Sequence, residues 1–115
     1  MSNKKTRTIR VLIVEPGKAP YVAEIPAGLE ALQQKVEGLI QALYPFDDPV
    51  AIIANDEGKL LGLPWNRPLF DEADQMYDII VGTFIVVGQT KDDFGSLSEE
   101  LIEKYSKHFD IPIYI

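Results

Sequence analysis

A chain of 115 residues, 46% hydrophobic and 25% charged, is about one domain long and can bury a single core without metal or disulfide support. It has no cysteine and one histidine, which excludes disulfides, thiolate metal sites, cysteine nucleophiles and a His-rich metal cluster. The formal net charge of −7 is uneven: residues 1–18 carry +4, leaving −11 on the rest, so a Lys/Arg groove for nucleic acid is not expected and a protein partner with a basic surface is.

Residues 1–8, MSNKKTRT, read as a flexible basic arm ahead of a single α+β domain over 9–115. The apolar run that follows the arm is too short for a signal peptide and no segment is long enough to cross a bilayer, so a cytoplasmic setting without membrane attachment is expected. TIRVLIVE (8–15) alternates Ile9, Val11 and Ile13 with Arg10, Leu12 and Val14, the pattern of a central strand, and after the PGKAP turn YVAEI (21–25) pairs back as a hairpin. In LEALQQKVEGLIQALY, Leu29, Leu32, Val36, Leu39, Ile40 and Leu43 recur at spacings of three and four, which predicts one helix over 29–43, with Gly38 marking a close approach.

VAIIA (50–54) is wholly apolar, as a strand covered on both faces would be. NDEG (55–58) then reads as a tight turn, with Asn55 or Asp56 capping it and Gly58 at positive φ, so that KLLGL (59–63) pairs back on VAIIA. YDIIVGTFIVVG (77–88) is the longest β run, bent at Gly82, and Ser96 with Glu99 forms a capping box for a helix that turns Leu97, Leu101, Tyr105 and Phe109 inward. The tail IPIYI (111–115) is apolar enough to pack on the body or form an edge strand. The order ββαβββα predicts a mainly antiparallel sheet of about five strands with two helices.

Nucleophilic catalysis is poorly served, because His108, the one imidazole, falls in the last turn of a charged helix, where a positive charge favours the helix dipole. The carboxylate pairs at 47–48, 56–57, 71–72, 92–93 and 99–100 are loop or surface neighbours, and the glycines at 58 and 62 lack the spacing of a phosphate loop. No catalytic residue, metal or cofactor is implied. What remains is NDEGKLLGLPWNRPLF (55–70). As scaffold it is a hairpin followed by a crossover that Pro64 and Pro68 stiffen, with Trp65 folded over the core edge. As a contact surface it presents an aromatic face, an amide and a guanidinium at Trp65, Asn66 and Arg67, residue types suited to interface anchors. Asn55, Glu57, Trp65, Asn66 and Arg67 are therefore the candidate binding residues, with Glu57 or Asp56 available to hold Arg67.

VEPGK (14–18), LEALQQKVEGLI (29–40), NDEGKLLGLPWNR (55–67), YDIIVGTFIVVG (77–88) and SLSEELIEKY (96–105) together resemble a small uncharacterised domain of unknown function. That family is encoded widely in plasmids, conjugative elements and phages of bacteria, and the resemblance spans roughly residues 9–109. Its pattern of Asn, acidic residue, Gly, then Gly-Leu-Pro and Asn corresponds here to Asn55, Glu57, Gly58, Gly62, Leu63, Pro64 and Asn66. The resemblance implies no activity, but it does imply a mobile-element setting in which small acidic proteins serve as accessory or anti-defence factors. The expectation is a non-catalytic interaction protein, an inhibitor of a host nuclease of restriction or CRISPR type. The alternative is a small-ligand or nucleotide-binding module centred on residues 55–67.

Overall fold

The computed structural model describes residues 7–91 and 93–110, so the IPIYI tail and most of the basic arm lie outside the described residues. The chain is an α+β domain with antiparallel strand pairing and, among the described residues, two helices and eight strands rather than about five. The first hairpin forms as expected, from β1 (Thr8–Val14) and β2 (Tyr21–Pro26), with Val11 opposite Ala23. Helix α1 (Leu29–Val36) follows, then β3 (Ile40–Leu43) and β4 (Val50–Asn55). Next come β5 (Trp65–Phe70), β6 (Met76–Val81), β7 (Phe84–Gln89), the short β8 (Phe94–Gly95) and helix α2 (Glu99–His108). The main sheet runs β2-β1-β7-β4-β3, with β8 added on β7, while β5 and β6 pair as a separate two-stranded ribbon.

Both faces of the main sheet are buried, which is why its inner strands β1, β4 and β7 are so apolar. On one face Leu32 and Val36 of α1 pack over Ile9, Val11, Ile13, Ala51, Ile53, Ile85 and Val87. On the other, Ile102, Tyr105 and Phe109 of the α2 segment and Leu69 and Ile80 of the ribbon cover Leu12, Val14, Val50, Ile52 and Phe84. The expectation that 50–54 is covered on both sides is met by this arrangement.

Five expectations are corrected. The helix ends at Val36 instead of Leu43: Glu37 adopts the left-handed conformation at the C-cap, and Ile40–Leu43 leave as an edge strand paired with β4. Leu29 and Leu39, assigned to the buried stripe, are exposed. Residues 56–62 do not pair with β4, whose neighbours are β3 and β7; they form consecutive turns closed by Leu61 N–H to Glu57 O (2.9 Å) and Leu63 N–H to Gly58 O (3.0 Å). The 77–88 run is bent at Gly82 (φ 73°), as expected, but the bend sends its two halves into different sheets. Finally, α2 is capped by Ser98, whose hydroxyl accepts from Leu101 N–H (3.2 Å); Ser96 instead accepts from the backbone N–H of Arg10 (2.9 Å).

Candidate interaction site

The five candidate residues divide into two groups. Asn55 ends β4 and is buried. Its Nδ2 donates to the carbonyls of Val36 (3.0 Å) and Glu37 (3.4 Å), satisfying orphan groups at the end of α1, and its Oδ1 accepts from Glu57 N–H (2.8 Å). It thus caps the turn, as expected, and ties α1 to the sheet. Gly38 allows the approach, since a Cβ there would stand 2.7 Å from Asn55 Nδ2. Gly58 is not at positive φ; Gly62 is (φ 68°), and Gly58 is small because a Cβ would meet Val81 Cγ2 at 2.8 Å.

Asn66 and Arg67 lie side by side on β5 and are both buried, Arg67 with 1% of its surface exposed. Asn66 Nδ2 donates to the carbonyls of Val14 and Gly82, each at 2.8 Å, and its Oδ1 accepts from Arg67 Nη1 (2.7 Å). Arg67 Nε donates to Phe109 O (2.8 Å) and Nη2 to Lys18 O (2.5 Å). The pair therefore fastens the ribbon to the end of β1, the turn after it, the Gly82 bend and the residue ending α2. The expectation of an exposed Arg67 is corrected, as is its pairing with Glu57 or Asp56. Both carboxylates are exposed, and every Arg67 bond named here goes to a carbonyl or to Asn66.

Trp65 and Glu57 are exposed. Trp65, 51% accessible, is one wall of an open groove of about 550 Å³, with Tyr77, Met76 and Leu63 beside it and Ile79 and Val81 also lining it. Tyr77, Ile79 and Val81 alternate along β6, so they share a face of the ribbon. The polar part of the groove is an ion pair between Lys59, on the 56–62 turns, and Asp78. Lys59 holds the Asp78 carboxyl below its usual range against the opposing effect of burial, and the Ile79 N–H, 2.8 Å from the same oxygen, helps. Leu60, Leu61 and Phe70 are further exposed apolar side chains on this stretch.

A family model described as a domain of unknown function, DUF3846, matches residues 9–110. The chain belongs to the DUF3846 family. No curated protein and no solved structure matches it. The DUF3846 match covers the buried polar network and the groove alike, and the groove contains residues outside the expected candidates: Tyr77 and Asp78 fall in the expected 77–88 strand and Met76 in no expected element. The available signal was Met-Tyr at the head of an Ile-rich strand with no packing duty for either side chain.

The other titratable cluster is structural. Lys104 Nζ and Tyr105 Oη both donate to Asp48 Oδ2, at 2.6 and 2.7 Å, lowering the Asp48 pKa and pinning α2 to the loop before β4. His108 packs edge-on against Phe46 and Phe109, with ring centroids 5.2 and 4.7 Å away. Partial desolvation by those rings, then Lys104, lowers its pKa although the residue is exposed overall, a shift opposite to the favourable positive charge expected at the helix end. Among the described residues no three His, Asp or Glu side chains are grouped as a metal site requires, and no helix is long and apolar enough to cross a membrane.

Proposed function

We propose that this domain is a non-catalytic interaction protein that docks on a basic surface of a protein partner through the outer face of the β5–β6 ribbon. The observation that carries the reading is the groove that Trp65, Met76 and Tyr77, all exposed, line together, with Leu60, Leu61 and Phe70 exposed on the same stretch of chain. Large apolar side chains left together in water mark contact surfaces. The acids beside them, Asp56 and Glu57 ahead of the stretch and Asp71, Glu72 and Asp74 in the β5–β6 turn, favour a basic partner and repel an acidic one.

The mobile-element setting that the family resemblance implies makes a host nuclease of restriction or CRISPR type the first partner class to test. Capture from host lysate is the experiment. A specific partner should be retained at low salt and released as ionic strength rises, because exposed charge pairs are screened over about 10 Å at 0.1 M salt. The Trp65→Ala/Tyr77→Ala variant should lose that partner. Finding none at low salt would overturn the reading. The volume of the groove also lies within the roughly 300–1,000 Å³ of small-molecule sites. A thermal-shift screen in which a small ligand, a nucleotide included, raises the melting temperature would favour that second reading.

A further inference from the structure

Lys59 is the unusual member of the groove. It places an ammonium on the Asp78 carboxylate in a groove whose walls are Trp65 and Tyr77, with Met76 and Leu63 beside them. The groove thus already holds, from its own chain, the kind of group a basic partner would offer. The pair is loosely kept: the Lys59 side chain is 65% exposed and that of Asp78 39%. Ion pairs so open to water contribute little, and a rival cation displaces such an ammonium readily. A guanidinium that replaced it would hold the carboxylate with two parallel N–H donors, which an ammonium cannot do.

We propose that the groove between the 56–62 turns and the β5–β6 ribbon receives a lysine or arginine side chain of the partner, seated on the Asp78 carboxylate in the groove that Trp65 and Tyr77 help to line, with Lys59 as the displaceable occupant of the free protein. Asp78 supplies the charge, and the apolar lining of Trp65, Tyr77 and Ile79 takes the aliphatic stem. Lys59 acts as an internal competitor. This rests on the docking reading above and names its central contact.

The test needs no natural partner. Trp65 is the only tryptophan in the chain, so its fluorescence reports on the groove directly. Titration with an acetylated hexa-arginine peptide should give a saturable change that hexa-citrulline, the neutral isostere, does not; hexa-lysine distinguishes guanidinium from ammonium preference. Lys59→Gln should bind hexa-arginine about two- to fivefold more tightly, the scale of a lost surface ion pair. Lys91→Gln, which removes the same charge outside the groove, should change affinity less. Tyr77→Ala and Asp78→Asn should each weaken binding about threefold or more while melting as wild type; the asparagine keeps an acceptor for the Ile79 N–H.

Equal effects of Lys59→Gln and Lys91→Gln, or wild-type affinity in Tyr77→Ala, would overturn the proposal by reducing the binding to general charge attraction. The two readings fail separately. A captured partner with no peptide response at Trp65 removes the cation seat and leaves the docking; a groove that binds the peptide in a protein without a partner does the reverse.

Discussion

An arginine with 1% of its surface exposed must place its guanidinium donors inside the protein, and Arg67 donates to Phe109 O, Lys18 O and Asn66. Lysine carries one compact ammonium and cannot serve carbonyls lying in such different directions. Arg67→Lys is therefore expected to lower unfolding stability by about 2 kcal/mol or more, since each buried carbonyl left unsatisfied costs about 1–3 kcal/mol; urea denaturation measures it, and a loss below about 0.5 kcal/mol would mean that the network is dispensable. Gly58→Val should also cost about 1–3 kcal/mol, but through overpacking against Val81 rather than backbone strain. None of this was visible in the Asn66-Arg67 dipeptide, because one residue type serves equally as an exposed anchor and as a buried clamp. Which role it takes depends on Val14, Gly82, Lys18 and Phe109, all distant in sequence. Asn55 was more legible: its cap of the 55–57 turn is local, and local hydrogen bonds can be read from neighbouring residues.

At the scale of elements, apolar alternation in β1, β4 and β7 identified the inner strands, since a strand buried on both faces leaves few alternatives. The misreading of 29–43 has a physical cause. Leu39, Ile40 and Leu43 continue the three-and-four spacing, but Glu37 reverses the backbone and β4 offers unpaired edge groups that Ile40–Leu43 take up. The consequence is a contrast: Leu32→Ala should cost about 2–5 kcal/mol, as buried leucines do, whereas Leu39→Ala, at a site 57% exposed, should cost less than about 1 kcal/mol. Thermal melts of the two variants check it. Helix α2 adds a pH dependence. His108 is harder to protonate when folded than in the unfolded chain, so the unfolded state binds more protons and stability rises with pH. The full contribution is present above about pH 6.5, the unfolded value, and is lost as pH falls below it. Asp48, held low by Lys104 and Tyr105, contributes above the ordinary carboxylate range and loses that contribution only as pH falls below about 3.8. His108→Phe should flatten the melting temperature between pH 5 and 7 and leave the acid limb in place.

For the whole molecule, the buried polar residues of the 55–70 block hold the ribbon against the main sheet, and the ribbon in turn carries Trp65 and Tyr77 on its outer side. Scaffold and contact surface are neighbours on one strand: Asn66 and Arg67 face inward and Trp65 outward. The Trp65→Ala/Tyr77→Ala variant should accordingly melt within a few degrees of wild type, because substitutions at exposed sites change stability little. A large fall in melting temperature would make the aromatic wall part of the core. Hydrogen exchange of the free protein and of its complex with the captured partner is the most direct measurement of where the contact lies. Slowed exchange is expected along residues 59–65 and 76–81, with the rest unchanged; protection confined to another surface, such as the exposed β2 edge, would contradict docking through the ribbon.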